Sequence, residues 1–249
     1  MKKYAIIGPI LFIFAWFAVS QLQLVDSVLL TGPTVTIEKL YNLIITGEIL
    51  DDLWATLWRI FVAFSISTLL GVPLGLGLGS SKKLYTSIEF IVDFFRSTPV
   101  TALLPMFILF FGVSNMAKIA VAAFASFLII LFNTAYGVMH ASKARVMVAE
   151  IMGASKMQIF RTVLFWESLP QTFVGIRNAV SIAFIVIILA EMLIGTQHGL
   201  GNEIIDAQTT YEISTMYAVI LLTGIIGYGL NLFFNLLEKS FLHWSSDIE

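Results

Sequence analysis

The chain has 249 residues, 58% of them apolar and only 12% charged, with a formal net charge of −2. Soluble domains average roughly 45–50% apolar and about 25% charged, so a water-exposed fold of this size could not hide its apolar surface; lipid is the solvent that fits. The absence of cysteine excludes disulfides, thiol catalysis and thiolate metal sites, the widely separated His140, His198 and His243 leave little for a metal centre, and no basic run marks a nucleic-acid footprint.

A helix crossing the hydrocarbon core needs roughly 20 mostly apolar residues. In chain order the candidate spans are 4–24, 53–78, 99–113, 118–139, 173–194 and 217–237. The expected fold is therefore all-α, a polytopic membrane protein of about six transmembrane helices, forming one membrane domain over 1–249 with no linker or long repeat. The first run follows Lys2 and Lys3, and Ala18-Val19-Ser20 loosely resembles a cleavage site. It reads either as a removable leader or as a retained span, and the orientation downstream favours retention. In the second span Gly71, Gly75 and Gly79 recur every four residues as a smooth ridge for a neighbouring helix, and Gly224 and Gly227 make a shorter one in the sixth.

Between the second and third spans, Leu84, Ile88, Val92 and Phe95 share a helical face while Glu89 and Asp93 lie on another. That pattern predicts an amphipathic helix over 84–96, at the membrane surface or against a span. The third span is short and carries Pro99 and Pro105, so it is either distorted or lengthened by its neighbours. With both termini inside, eleven Lys and Arg fall on the inner side and three, Lys39, Arg59 and Lys118, on the outer, which is the positive-inside arrangement of a cytoplasmic membrane protein.

The longest inner segment is 140–169. Residues 145–152 form helix, Gly153 tolerates the left-handed backbone that closes one, Ala154 and Ser155 keep the turn shallow, and a second helix runs from Lys156 to Trp166, with Pro170 suited to the first turn of the fifth span. Such an elbow serves either to dock a partner and transmit force or as a connector packing on its own spans. The segment resembles the cytoplasmic coupling loop of permease subunits in bacterial ATP-binding-cassette (ABC) importers, whose pattern is Glu-Ala-Ala, three residues, Gly, nine residues, Ile-x-Leu-Pro. Alignment on Gly153 matches Ala149 and the glycine, whereas Met147 stands at the glutamate and Trp166 at the first proline.

The resemblance covers roughly 52–244 and is closest to the nitrate, sulfonate, taurine and bicarbonate branch. It also rests on Gly71-Val-Pro-Leu-Gly75, Arg96-Ser-Thr-Pro99, Gly175-Ile-Arg-Asn178, Ala190-Glu-Met-Leu193 and Gly199-Leu-Gly201. It implies the architecture of a type I importer and a homodimeric permease. It further implies two cytoplasmic ATP-binding subunits that carry ATP and Mg and dock on Ala149, Glu150, Gly153, Ala154 and Ser155, and an extracytoplasmic solute-binding protein. No cofactor is expected on this chain. No Gly-x-x-x-x-Gly-Lys-Ser/Thr loop occurs, so hydrolysis belongs to another subunit and this chain is not itself an enzyme.

Arg59 and Glu191, near outer span ends, are the candidate pathway charges, both within snorkelling reach of the interface, as is Arg177 at an inner end. The glycine-rich stretch 195–202, with His198, is expected to fold back toward the pathway. Two rivals are a secondary transporter, which favours buried acidic or histidine relays at the midplane, and a membrane-embedded enzyme, which needs clustered Asp, Glu, His or Ser. Neither pattern is visible in the sequence.

Overall fold

A computed structural model describes residues 7–26, 29–195 and 197–242; Lys2, Lys3, His243 and the start of the first predicted span lie outside them. All regular secondary structure among the described residues is helical: α1 (Ile7–Gln21), α2 (Pro33–Thr46), α3 (Leu50–Gly79), α4 (Lys82–Ser97), α5 (Val100–Phe111), α6 (Asn115–Met139), α7 (Lys143–Ile151), α8 (Lys156–Ile159), α9 (Phe165–Ile194), α10 (Leu200–Thr209) and α11 (Ile213–Phe241). A π-helical turn, Phe160–Leu164, joins α8 to α9, so that Lys156–Ile194 runs on as one 39-residue helix.

Among the described residues four helices, α3, α6, α8–α9 and α11, are long and apolar enough to cross a membrane. They match the second, fourth, fifth and sixth predicted spans, the second and sixth extended at both ends and the fourth and fifth at the amino end. The described part of the first is α1, 15 residues. The third differs from expectation. At 1.5 Å per residue, the 12-residue α5 reaches only about 18 Å, against a core of roughly 30 Å. It follows α4 across a 93° bend, the geometry of a broken span or of a re-entrant loop. Pro99 cannot donate a backbone hydrogen bond, and the residue before a proline is pushed out of the helical region, so the chain turns at Thr98. Pro170 differs too. It lies inside α9 rather than at a helix start, because the helix arrives unbroken from Lys156.

The core is built on α6, which packs between α3 and α9. Small residues make this possible. A Cβ added at Gly71, Gly75 or Gly79 would come within 2.9 Å of Ile130, 2.7 Å of the Leu131 carbonyl or 2.5 Å of the Ala135 carbonyl, so the α3 backbone lies directly on α6. The ridge thus serves packing within the chain, as small-residue stripes do in lipid, where no hydrophobic effect drives helices together. On the other face of α6, Ser126 donates to the Ala179 carbonyl at 3.0 Å in a buried bond. The second ridge is only half used: Gly227 meets Phe184, while Gly224 faces open space.

Two helices, α2 and α10, fall in stretches the six-span reading leaves as loops. Their Leu40, Leu43, Leu200 and Ile204 pack with Ile49 and with Ala218, Val219 and Leu222 of α11, closing one end of the bundle. Outward, Leu69, Leu109, Phe110 and Tyr228 are each at least 73% exposed, the surface of a chain that meets lipid or other subunits.

Candidate functional site

Two polar constructions stand at opposite ends of α3. The first, at its carboxyl end, is the α7–α8 elbow, reached through a groove of about 440 Å³ lined by Gly77, Ser80, Val146, Glu150 and Phe160. Ser142 caps α7 by accepting from the Arg145 amide. At the other end of α7 the Gly153 amide donates to the Glu150 carbonyl at 2.9 Å and the Ala154 amide to the Ala149 carbonyl at 3.0 Å. These two bonds, with Gly153 at φ +79°, make a Schellman closure, which satisfies carbonyls a helix end otherwise leaves bare. Ser155 then starts α8 with a capping box, its side chain accepting from the Gln158 amide while Gln158 Oε1 accepts from the Ser155 amide at 2.7 Å.

The five residues singled out from sequence, Ala149, Glu150, Gly153, Ala154 and Ser155, therefore form one rigid corner. The sequence reading did not include Ser142, Gln158 or Glu167. The spacing Ser155-x-x-Gln158 is a capping-box signature and was legible; Glu167 acts across 25 residues and was not. Its Oε2 accepts from the Ser142 amide at 2.5 Å, and its Oε1 lies 2.9 Å from Arg145 Nη1, close but not aligned as a hydrogen bond. Arg145 is largely exposed, so that second contact adds little, and the amide bond is what ties the start of α7 to α9. At the tip Ile151 and Met152 are 80% and 81% exposed, with Met147 and Met157 beside them.

The second construction lies about 27 Å away along α3, counting the 18 residues from Gly77 back to Arg59 at 1.5 Å each. Arg59 and Glu191, the candidate pathway charges, turn inward and pair. Their exposures are 4% and 0%, and Arg59 Nη1 donates to Glu191 Oε1 at 2.5 Å. Glu191 also accepts from Thr56 Oγ1 at 2.9 Å and from the Gly201 amide at 3.0 Å, while Arg59 Nε donates to Asn115 Oδ1. Lys118, fully buried, feels the charge of both Arg59 and Glu191.

Within the stretch 195–202, residues 199–201 meet this cluster. The Gly199 amide donates to Asp52 Oδ1 at 2.7 Å and the Leu200 amide to Thr56 Oγ1 at 2.9 Å. The opening amides of α10 are thus satisfied by side chains of α3 and α9, where a helix dipole favours negative charge. Gly199 has φ +150°, and any side chain there would strike the Glu191 carboxyl at 2.6 Å. His198, 55% exposed, stands 3.6 Å from Asp52. Behind it on α10, burial and then Asp52, Asp206 and Glu212 raise Glu203 above the ordinary glutamate range. Arg177 is paired as well, donating to Glu238 of α11 at 2.9 Å.

The sequence profile of the binding-protein-dependent transport system inner membrane component matches residues 67–243, and the chain belongs to that family: it is a permease subunit of an ABC importer. A probable ABC transporter permease of Brucella melitensis is 30% identical over 218 residues, 88% of each chain. The taurine transport system permease protein TauC of Escherichia coli is 27% identical over 239 residues, 94% of this chain and 86% of that one. The nitrate import permease protein NrtB of Synechocystis is 30% identical over 220 residues, covering 84% and 79%. In fold, the chain superposes on an inward-facing structure of the MetNI methionine ABC transporter with a TM-score of 0.68, at 23% identity over 77% of this chain and 94% of that one.

Proposed function

We propose that this permease imports a small anion of the sulfonate, taurine, nitrate or bicarbonate kind by alternating access, driven by two ATPase subunits that hold ATP and Mg and grip the α7–α8 elbow. The names of the relatives support the solute class, since sulfonate, taurine and nitrate permeases are among them. The elbow supports the drive. A Schellman corner holding Ile151 and Met152 out from the bundle is a stiff apolar plug of the type that seats in a partner's groove. Its continuity with the 39-residue helix gives force a path into the spans.

In this reading two copies of the chain flank the pathway, both termini lie in the cytoplasm of a bacterial cell, and a solute-binding protein delivers cargo at the opposite face. Arg59 and Glu191 shape the outer mouth by holding α10 in place and do not offer the anion a free cation, because each already neutralises the other.

The exposed tip provides the test. I151D/M152D places two carboxylates on the plug without touching the closure behind it. Retention of the ATPase during co-purification is expected to fall at least tenfold while the chain stays inserted, and unchanged retention would refute docking at this corner. Uptake by proteoliposomes on a proton gradient alone, without ATP, would instead support a secondary carrier.

A further inference from the structure

A second groove, between α3, α4 and α6, plays no part in the reading above. It has a volume of about 590 Å³, and all of its lining residues are apolar, among them Leu74, Gly77, Ile88, Phe95, Phe124 and Leu128. That volume lies in the roughly 300–1,000 Å³ range of small-molecule sites, but such sites normally carry a few polar groups to orient a soluble ligand, and this one has none along its length. Cations stand at one end. Leu84, also in the lining, directly follows Lys82 and Lys83, which are exposed and pair with no carboxylate among the described residues. The α3–α4 turn adds the hydroxyls of Ser80 and Ser81 beside them. From α4, Leu84, Ile88, Ile91, Val92 and Phe95 form one wall of the groove.

We propose that this groove is a binding site for an anionic phospholipid, with one acyl chain in the slot and the headgroup phosphate at Lys82 and Lys83. An apolar slot with positive charge at its mouth matches an amphiphile carrying negative charge, and juxtamembrane lysines draw such lipids to a leaflet surface. A zwitterionic lipid would bring a phosphate whose charge its own ammonium already balances, so the lysines favour a lipid with net negative charge. Gly77 lines this groove and also the groove behind the elbow, so the bound chain lies against the same turn of α3 that the coupling element faces. The site does not depend on which solute is carried.

The chain reconstituted in nanodiscs with phospholipid bearing a photoreactive acyl chain provides the test, with phosphatidylglycerol compared against phosphatidylcholine. Crosslinks mapped by peptide mass spectrometry are expected at Phe95, Phe124 or Leu128, at least fivefold more with phosphatidylglycerol. K82Q/K83Q, on the surface, is expected to abolish that preference, and Gly77→Phe, where an added Cβ meets nothing within 4 Å, to block labelling of the slot. Equal labelling by the two lipids, or labelling unchanged in K82Q/K83Q, overturns the proposal. So does efficient disulfide joining of two copies through Ile91→Cys, the only thiol such a chain would have, since it would place a second copy in the groove.

Discussion

Replacing Glu191 with Ala is the sharpest perturbation of the buried cluster. The carboxylate is fully buried and accepts from Arg59, Thr56 and Gly201, so its loss strands a guanidinium, an amide and, through charge, Lys118. Breaking a buried pair by removing one partner costs about 3–5 kcal/mol, because the remaining ion keeps its desolvation penalty. For a chain of this length each kcal/mol moves Tm by roughly 2–4 °C, so a fall of about 6–20 °C is expected. The loss is directional: the α10 amides at Gly199, Leu200 and Gly201 should exchange hydrogen faster, by about 100-fold for 3 kcal/mol of local destabilisation. R59M/E191L should recover part of the loss, since apolar pairs of similar volume often replace buried ion pairs at little cost, with Lys118 left as the residual penalty. Thermal unfolding in nanodiscs with hydrogen exchange read by mass spectrometry measures both. A shift below about 2 °C for Glu191→Ala, with unchanged exchange at 199–201, would refute the claim that this pair holds α10 down.

Three further outcomes follow from other parts of the molecule. Gly153→Val forces a β-branched residue into φ +79°, a strain of about 1–3 kcal/mol that deforms the corner, and in the reconstituted complex substrate should no longer stimulate ATP hydrolysis although the permease still inserts; normal stimulation counts against a coupling role. Gly79→Val drives a side chain against the Ala135 carbonyl and Val138, and a loss of about 1–3 kcal/mol in thermal unfolding is expected; no loss would show that α3 and α6 do not meet there. Glu203, whose pKa is raised in the fold, binds its proton more tightly folded than unfolded, so stability is greatest below the ordinary glutamate pKa and declines as pH climbs through the raised value. Glu203→Gln should therefore raise Tm at pH 7 and leave it nearly unchanged near pH 4, and equal shifts at both pH values would dismiss the burial, and the repulsion from Asp52, Asp206 and Glu212, that raise the carboxyl.

What the sequence made legible was set by period and punctuation. Runs of apolar residues marked the long helices, and glycines every four residues marked the face of α3 that a helix could approach, because both signals are local; that the helix is α6 was not legible. The break at Thr98 was half visible, since Pro99 announced a disturbance but not its 93° size, which depends on where α4 finds its packing. The α2 and α10 helices were missed because each buries a narrow apolar stripe in the end of the bundle, too short to read as a span. The charge cluster was missed for another reason. Arg59 and Glu191 stand 132 residues apart, and nothing in either neighbourhood says that one will neutralise the other. Only Gly199-Leu-Gly201 hinted at it, as backbone bare enough to approach a carboxylate.

The π-helical turn at Phe160–Leu164 places one surplus residue between the elbow and the core-bound part of α9. A residue in a helix occupies about 100° of rotation, so side chains on the two sides of that turn are out of step by that angle relative to an unbroken α-helix. The compass bearing on which Ile151 and Met152 point is therefore fixed by a count of residues upstream of the span and not by the identity of those at the tip. Deleting one residue within 160–164 would turn α8 around the helix axis and pull against the Ser142–Glu167 bond that ties the start of α7 to α9, leaving the chemistry of the tip unchanged.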